Sequence, residues 1–204
     1  MSSIGLFNPY NSINQHFKYS NYIPMKKLSM EELNRLSVED YKEVEKNPIA
    51  LILDNVRSLN NVGAAFRTSD AFRVNKLYLC GITGQPPHRE IQKTALGATE
   101  SVDWEHHEST LDVIKALKKE GYIICALEQV SHSTPLNEFK PEPGKPYAFI
   151  FGNEVFGVEE DVVLAADQVL EIPQFGTKHS LNISVSIGIT LWDMVSKTND
   201  FKKA

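Results

Sequence analysis

The chain has 204 residues, enough for one domain with a modest extension, and 42% of them are hydrophobic, as in proteins that bury a core. Its net charge of −5 argues against binding of nucleic acid through overall positive charge, although it leaves room for a local basic patch. We find no apolar run of membrane-spanning length and no secretory signal. Cys80 and Cys125 each end a strand-like run and are expected to be buried, reduced thiols, so we expect a cytoplasmic protein.

The N-terminal part of the chain predicts two short regions before the main domain. Residues 1–24 are rich in Asn, Ser and Tyr without periodicity, which predicts a flexible arm. Residues 25–46 contain two Ser-x-x-acid pairs spaced as capping boxes, which predicts a short helical extension. Asn47-Pro48 ends that pattern because the residue before a proline disfavours helix, and we expect the main domain to span 47–204.

Strand-like and helical patterns alternate through the main domain. Apolar runs of strand length occupy 49–53, 76–80, 122–127, 147–151 and 168–172, and helical patterns occupy 60–73, 110–120 and 159–166. Unbroken apolar strands that alternate with helices predict an α/β fold, a parallel sheet with helices on both faces. Ligands of such sheets bind beyond the carboxyl ends of the strands. The sequence places four polar or glycine-containing loops there: Asp54-Asn55, Gly81-Ile82, Gly152-Asn153-Glu154 and Pro173–Ser180.

The last apolar segment carries two conflicting patterns. Residues 181–191 alternate strictly between large and small, which is typical of a strand. The apolar run continues to Val195, however, and this length favours a helix. We predict a buried helix that Ser180 caps, with Ser184 and Gly188 forming a narrow face for close packing.

The polar clusters each have a structural and a functional interpretation. Asn61 and Arg67 fit an N-cap and a solvated arginine, but the apolar neighbours of Arg67 indicate partial burial, and a buried guanidinium needs an anionic partner. Gly152 and Glu154 fit a turn after a strand. Functionally, Gly152 would let a ligand approach the backbone, and Glu154 would pair with Arg67 or an asparagine. Asn182 is unusual inside an apolar helix unless its amide is used.

Together the clusters resemble the three motifs of the SpoU, or TrmH-type, family of RNA 2′-O-ribose methyltransferases in the SPOUT superfamily. The resemblance covers about residues 49–195. Its first motif reads NNVGAAFRTSDA, its second FGNEVFGV and its third IPQFGTKHSLNISVS. Each motif alone is moderately specific, and their ordered occurrence is the stronger signal.

The resemblance implies several properties. The C-terminal part of the sheet would form a deep trefoil knot, a SPOUT-type fold that physical rules alone would disfavour. S-adenosylmethionine would be the cofactor, transfer or ribosomal RNA the substrate, and a homodimer the assembly, without a metal or a membrane. By motif, the cofactor contacts fall on Gly152, Ile172 and Leu181, and the catalytic set falls on Asn61, Arg67, Glu154, Ser180 and Asn182.

The resemblance also implies that Arg67 activates the ribose hydroxyl. A guanidinium stays protonated near neutral pH and is a poor base. We therefore predict that Arg67 binds the RNA phosphate and stabilises the developing 2′-oxyanion. Glu154 would orient Arg67 and Asn61, while Ser180 and Asn182 would shape the ribose and methionine ends.

Three other functions compete with this interpretation. A non-catalytic RNA- or cofactor-binding knot protein would lack Arg67, Glu154 or Asn182, yet all three are present. A dinucleotide-binding oxidoreductase would carry a glycine fingerprint at its first strand–helix turn, which is missing here. A methyltransferase of the same superfamily that acts on the base instead of the ribose stays open.

Overall fold

The computed structural model describes residues 25–29 and 31–198, so the arm predicted over residues 1–24 lies outside the described residues. The chain divides into two compact units between Arg35 and Leu36. In the first unit, the predicted capping box forms: the Glu32 N–H donates to Ser29 Oγ at 3.3 Å, and the Ser29 N–H donates to the Glu32 carboxylate at 2.8 Å. Residues 31–34 then form turns, and the Leu33 N–H donates to the Ser29 carbonyl at 3.2 Å, so this pair begins a helical turn but not a continuous helix.

The second unit contains the strands and helices of the fold. The strands are β1 (Asn47–Asp54), β2 (Val74–Cys80), β3 (Trp104–His107), β4 (Ile123–Leu127), β5 (Thr134–Pro135), β6 (Tyr147–Phe151) and β7 (Gln168–Glu171). The helices are α1 (Val38–Glu43), α2 (Leu59–Ala71), α3 (Arg89–Ala95), α4 (Ala98–Ser101), α5 (Thr110–Lys119), α6 (Glu160–Ala165) and α7 (Ile183–Thr198).

The strands form one parallel sheet in the order β3-β2-β1-β6-β4-β7-β5. The predicted α/β architecture is therefore confirmed. The central strand β1 pairs with β2 on one side and with β6 on the other, although β6 comes much later in the chain. The carboxyl ends of β1 and β6 thus border the point where the strand order reverses, which is where parallel sheets bind ligands.

Helices cover both faces of the sheet, and alternate residues of β1 show which helices lie on each. Leu51 and Leu53 pack in a cluster with residues of α2 and α7, whereas Ala50 and Ile52 pack with residues of α5 and α6. All four side chains are fully buried. This two-sided burial explains why the strands read as continuous apolar runs.

The sequence analysis did not predict four short elements, and one of them, β5, spans only two residues. Strand β3 lies at the edge of the sheet, and its residues are half-buried or exposed, so it lacks an apolar pattern. Helices α3 and α4 span seven and four residues, too short for a clear helical periodicity. A second predicted capping pair does begin a helix: the Asp40 N–H donates to Ser37 Oγ at 3.0 Å ahead of α1.

The last apolar segment is the predicted helix, α7, but one detail of that prediction is wrong. Asn182, not Ser180, caps the helix, because Asn182 Oδ1 accepts the Ser184 N–H at 2.8 Å. A Cβ atom added at Gly188 would meet no atom within 4 Å, so the predicted narrow face stays open within the described chain and its packing stays a prediction. The helix instead buries Ile187 and Leu191.

Two remaining features concern the cysteines and the membrane. Cys80 and Cys125 are free and buried, as predicted, and burial raises the pKa of each thiol to about 12. Across residues 25–29 and 31–198, none of the helices is long and apolar enough to cross a membrane.

Candidate active site

Three segments meet at the carboxyl edge of the sheet, and Glu154 joins two of them. Glu154 lies in the turn after β6. Its carboxylate accepts hydrogen bonds from the backbone N–H of Arg57 at 3.0 Å and of Ser58 at 2.9 Å, both in the loop after β1. It also accepts a bond from Asn61 Nδ2 at 3.0 Å. One carboxylate therefore satisfies three donors around the start of α2, a position where negative charge is favoured.

Asn61 extends this connection to the third segment. Its side chain is buried, and its Oδ1 accepts a hydrogen bond from Asn182 Nδ2 at 3.2 Å. Asn182 in turn caps α7. Glu154, Asn61 and Asn182 thus form a continuous hydrogen-bonded chain, which we call the amide–carboxylate chain. The prediction that Glu154 pairs with an asparagine is confirmed.

The environment of Glu154 favours its charged form. Partial desolvation raises the pKa of Glu154, but hydrogen bonds from the Arg57 and Ser58 N–H groups and from Asn61 outweigh it. The net pKa lies below the ordinary value of 4.5. The carboxylate is therefore ionised throughout the neutral range and acts as an acceptor, not as a proton donor.

Arg67 departs from the prediction. It is exposed, and within the described part of the chain its guanidinium has no hydrogen-bond or ion-pair partner. The reason is the angle between the two side chains around the helix axis. Six residues separate Asn61 from Arg67, or about 600° of helix, which places the two side chains about 120° apart around α2. The predicted partial burial of Arg67 and its pairing with Glu154 are both wrong.

A cavity of about 320 Å³ opens beside the amide–carboxylate chain, between the ends of β4, β6 and β7 and the start of α7. This volume lies at the lower end of small-molecule sites, roughly 300–1,000 Å³. Five predicted site residues line it: Gly152, Glu154, Ile172, Ser180 and Leu181. Asn61, Arg67 and Asn182 are not among its lining residues. The structure thus separates the predicted site into a cavity and an adjoining surface.

Gly152 has a structural role that the sequence did not reveal. The Asn153 N–H donates to the Gly157 carbonyl at 2.8 Å and the Gly157 N–H donates back at 2.9 Å, which closes a tight turn. A Cβ atom at Gly152 would collide with the backbone of Gly157 and Val158. Gly152 is therefore required by the turn itself, and the predicted reason, approach of a ligand to its backbone, does not explain the glycine.

Two cavity residues, Glu128 and Gln129, were missed by the sequence analysis. The Glu128 carboxylate accepts the N–H of Gln129 and the N–H of Val158, both at 2.9 Å. Gln129 Nε2 donates to the carbonyl of His179 at 3.1 Å. Both residues directly follow β4, so the rule that ligands bind at the carboxyl edge pointed to them, but neither belongs to a recognisable motif.

The cavity suits a small cation with an apolar body. Leu127, Phe151 and Leu170 form its apolar wall. Glu171 also lines it, and among residues 25–29 and 31–198 its carboxylate has no hydrogen-bond partner, which leaves a negative charge near the cavity for a positively charged ligand. The described residues contain no group of three or more His, Cys, Asp or Glu side chains that could hold a metal.

Comparison with known proteins identifies relatives of this site. Residues 48–192 match the family model described as the SpoU rRNA methylase family. The tRNA (guanosine(18)-2′-O)-methyltransferase of Thermus thermophilus is 28% identical over 162 residues, which cover 79% of this chain and 81% of that protein. The 23S rRNA (guanosine-2′-O-)-methyltransferase RlmB of Neisseria meningitidis serogroup B is 30% identical over 159 residues, 78% of this chain and 62% of that protein.

Solved structures agree with these sequence relatives. The TrmH/SpoU tRNA modifying enzyme of A. aeolicus superposes with a TM-score of 0.72 and 27% identity, covering 81% of this chain and 84% of that chain. The AdoMet-bound rRNA methyltransferase of Sinorhizobium meliloti superposes with a TM-score of 0.69 and 25% identity, covering 76% of this chain and 59% of that chain.

Proposed function

The chain belongs to the SpoU rRNA methylase family, and from this premise we propose that it methylates a ribose 2′-hydroxyl of transfer or ribosomal RNA with S-adenosylmethionine. The observation that carries the proposal is the amide–carboxylate chain. Its hydrogen bonds join Glu154, Asn61 and Asn182, one residue from each of the three motifs, beside a cavity that suits a cationic cofactor.

The cofactor would occupy the cavity. S-adenosylmethionine supplies a methyl group that its sulfonium already activates, so the protein mainly has to bind and orient two reactants. Gly152, Ile172 and Leu181 line the cavity and would hold the cofactor largely through backbone groups. The apolar wall suits its uncharged parts, and the free carboxylate of Glu171 suits its positive charge.

The catalytic residues divide the remaining work. Glu154 orients Asn61, and Asn61 with Asn182 positions the ribose at the edge of the cavity, where Ser180 also lies. Arg67 binds an RNA phosphate and stabilises the oxyanion that develops on the 2′-oxygen, whose proton passes to solvent as the oxygen takes the methyl group and the sulfonium is left as a neutral thioether. Its exposed guanidinium is available for this role, since a planar fork with five donors matches a phosphate.

We also propose that the segment after β7 completes a deep trefoil knot. Helix α7 packs on the same face of the sheet as α2. Its last turn is tied to the connection between β4 and β6, because Lys197 Nζ donates to the Leu136 carbonyl at 2.6 Å. This contact supports a path in which the end of the chain lies against that connection.

The active assembly that we propose is a homodimer in the cytoplasm. Val185, Ile189 and Trp192 are 48%, 38% and 59% exposed and follow helical spacing along α7, and the space beside Gly188 is open. A second copy packing on this face would bury the stripe and use the small residues for close approach. Free, buried cysteines accord with a reducing compartment.

The decisive experiment identifies the methylated atom. We expect the protein to transfer tritiated methyl groups from S-adenosylmethionine to unmodified tRNA or rRNA transcripts, and digestion to nucleosides should release 2′-O-methylated nucleosides. Mass spectrometry separates these from nucleosides methylated on the base. The added mass of about 14 units, that of one CH₂ group, stays with the ribose fragment in the first case and with the base in the second. Methylation confined to the base would refute the proposal in favour of the base-modifying alternative.

A further inference from the structure

Several exposed apolar side chains lie at the carboxyl edge of the sheet. Ile82, Val155, Phe156 and Phe175 are 68%, 68%, 83% and 98% exposed and follow β2, β6, β6 and β7. Of these four, Val155 and Phe156 line the cavity. An aromatic ring exposed beside a cavity is available to a ligand that stacks on it.

Phe156 is held in its exposed position by a closed network of hydrogen bonds. Asn153 Oδ1 accepts the N–H of Val155 at 2.9 Å and of Phe156 at 3.2 Å, and Asn153 Nδ2 donates to the Asn55 carbonyl at 2.8 Å. The paired bonds between Asn153 and Gly157 complete the turn. The backbone therefore presents the Phe156 ring to solvent at a set position instead of letting it collapse onto the core.

The turn points its two functional side chains in different directions. Glu154 reaches back to Ser58 and Asn61, whereas Phe156 faces outward at the mouth of the cavity. Glu154 and Phe156 are two residues apart in the same turn, so the ring lies beside one end of the amide–carboxylate chain. Single-stranded RNA is recognised chiefly by splaying bases onto aromatic side chains, because every base has a π-face.

We propose that Phe156 is the stacking platform for the base of the nucleotide whose ribose is methylated. This proposal rests on the proposed function and adds to it a residue that positions the substrate. The cofactor is a poorer occupant, because the inner wall of the cavity is formed by other residues and the Phe156 ring is 83% exposed. A second copy of the chain is also a poorer occupant of the Phe156 ring, because the apolar stripe on α7 already offers it a surface.

The test compares three substitutions of one side chain. Phe156→Ala should weaken binding of the RNA by about tenfold or more, since loss of one base–aromatic stack has an effect of this order. Phe156→Leu keeps apolar bulk without a π-face and should behave like Phe156→Ala, while Phe156→Tyr should stay near wild type. Leu164→Ala is the matched control, because Leu164 is 76% exposed on α6 and outside the cavity.

The measurement is the Kd of the unmodified tRNA or rRNA transcript that the wild-type protein binds most tightly, with S-adenosylhomocysteine present, together with the KM for that RNA. An unchanged Kd in Phe156→Ala, or full affinity in Phe156→Leu, overturns the proposal. So does an equal loss of S-adenosylmethionine affinity in calorimetry, which would assign the ring to the cofactor, or dissociation of the dimer in sedimentation, which would assign it to the subunit interface.

Failure of the proposed function gives a different result. If the wild-type protein binds a transcript but transfers no methyl group, the methyltransferase assignment fails, whereas the Kd series still decides whether Phe156 stacks on RNA. If it binds no transcript, the stacking proposal is overturned as well.

Discussion

Glu154 and Arg67 belong to the same predicted site, but the protein surrounds them in opposite ways. The Glu154 carboxylate accepts three hydrogen bonds, two from backbone N–H groups and one from Asn61. Arg67 is exposed, and in the described part of the chain its guanidinium meets no partner. Folding thus supplies the hydrogen-bond partners of Glu154, whereas the guanidinium of Arg67 stays available to a ligand.

This difference suggests separate tasks for the two residues: Glu154 positions other side chains, and Arg67 binds the substrate. An ionised carboxylate accepts about four hydrogen bonds, and Glu154 already accepts three, so we expect it to act mainly through Asn61. An unpaired guanidinium carries no comparable penalty, because water solvates it until a phosphate replaces the water. Substitutions in the two halves should therefore differ in their effect on folding as well as on activity.

The largest effect is expected for Arg67→Ala. Without the guanidinium, neither the RNA phosphate nor the developing oxyanion is stabilised, and methyl transfer should fall by about 10²- to 10³-fold or more. Because the Arg67 guanidinium has no hydrogen-bond or ion-pair partner in the described chain, the melting temperature and the Kd for S-adenosylmethionine should stay near their wild-type values. Tritium-methyl transfer, thermal unfolding and calorimetry measure the three quantities.

Lys119→Ala provides the control for Arg67→Ala. Lys119 is an exposed cation on α5, a helix that packs on the other face of the sheet. It should leave transfer unchanged, which excludes a general effect of lost positive charge. Near-normal turnover in Arg67→Ala would remove Arg67 from the catalytic set.

Glu154→Gln should impair both activity and stability. The amide of glutamine has one oxygen, so its NH₂ group would face one of the two backbone N–H donors and leave that donor without an acceptor. We expect the free energy of unfolding at pH 7 to fall by about 2 kcal/mol, and transfer to fall because a neutral amide oxygen holds Asn61 more weakly than a carboxylate does. Urea unfolding together with the tritium assay tests this.

The stability difference between wild type and Glu154→Gln should also depend on pH. The pKa of Glu154 is lowered in the folded protein. Its ionisation therefore stabilises the fold above the ordinary carboxyl pKa, and this contribution is lost as the pH falls through the lowered value. The difference should be largest at neutral pH and should shrink in acid. A difference that stays constant with pH would mean that the charge of Glu154 contributes nothing.

Features that depend on local pattern could be predicted from the sequence. Continuous apolar strands alternating with helices are enough to predict the parallel sheet, and the carboxyl-edge rule brings the loops at Asn55, Glu154 and Ser180 together. The length of the last apolar run outweighed its alternation, and α7 is a helix. Pairing of Glu154 with an asparagine followed from the chemistry of the two motifs.

Features that depend on distance in three dimensions could not be predicted. The burial of Arg67 was misjudged from its sequence neighbours, because Phe66 and Ala65 face the core while Arg67 lies on another side of α2. Gly152 was assigned to ligand approach, since the sequence does not show that the backbone of Gly157 occupies the space of a side chain there.

Gly157 offers the most specific test of the half of the site that folding assembles around Glu154. Its expected effect on methyl transfer is the smallest of those predicted here. Its φ is +71°, and an added Cβ would collide with the Glu128 carboxylate. Gly144 has nearly the same φ, +74°, with no atom within 4 Å of an added Cβ. Gly144→Ala should therefore cost only the backbone strain, about 1 kcal/mol.

Gly157→Ala should cost more than Gly144→Ala, about 2–3 kcal/mol in urea unfolding, because the Glu128 carboxylate must move away from the N–H of Val158. That movement would loosen the turn carrying Glu154 while leaving Arg67 untouched. Transfer should therefore fall through poorer positioning of the ribose, and RNA affinity should also fall, but less than in Phe156→Ala, because the same turn carries Phe156. Equal losses of stability in the two alanine variants would mean that Glu128 yields freely, and the turn could then no longer be regarded as the rigid part of the site.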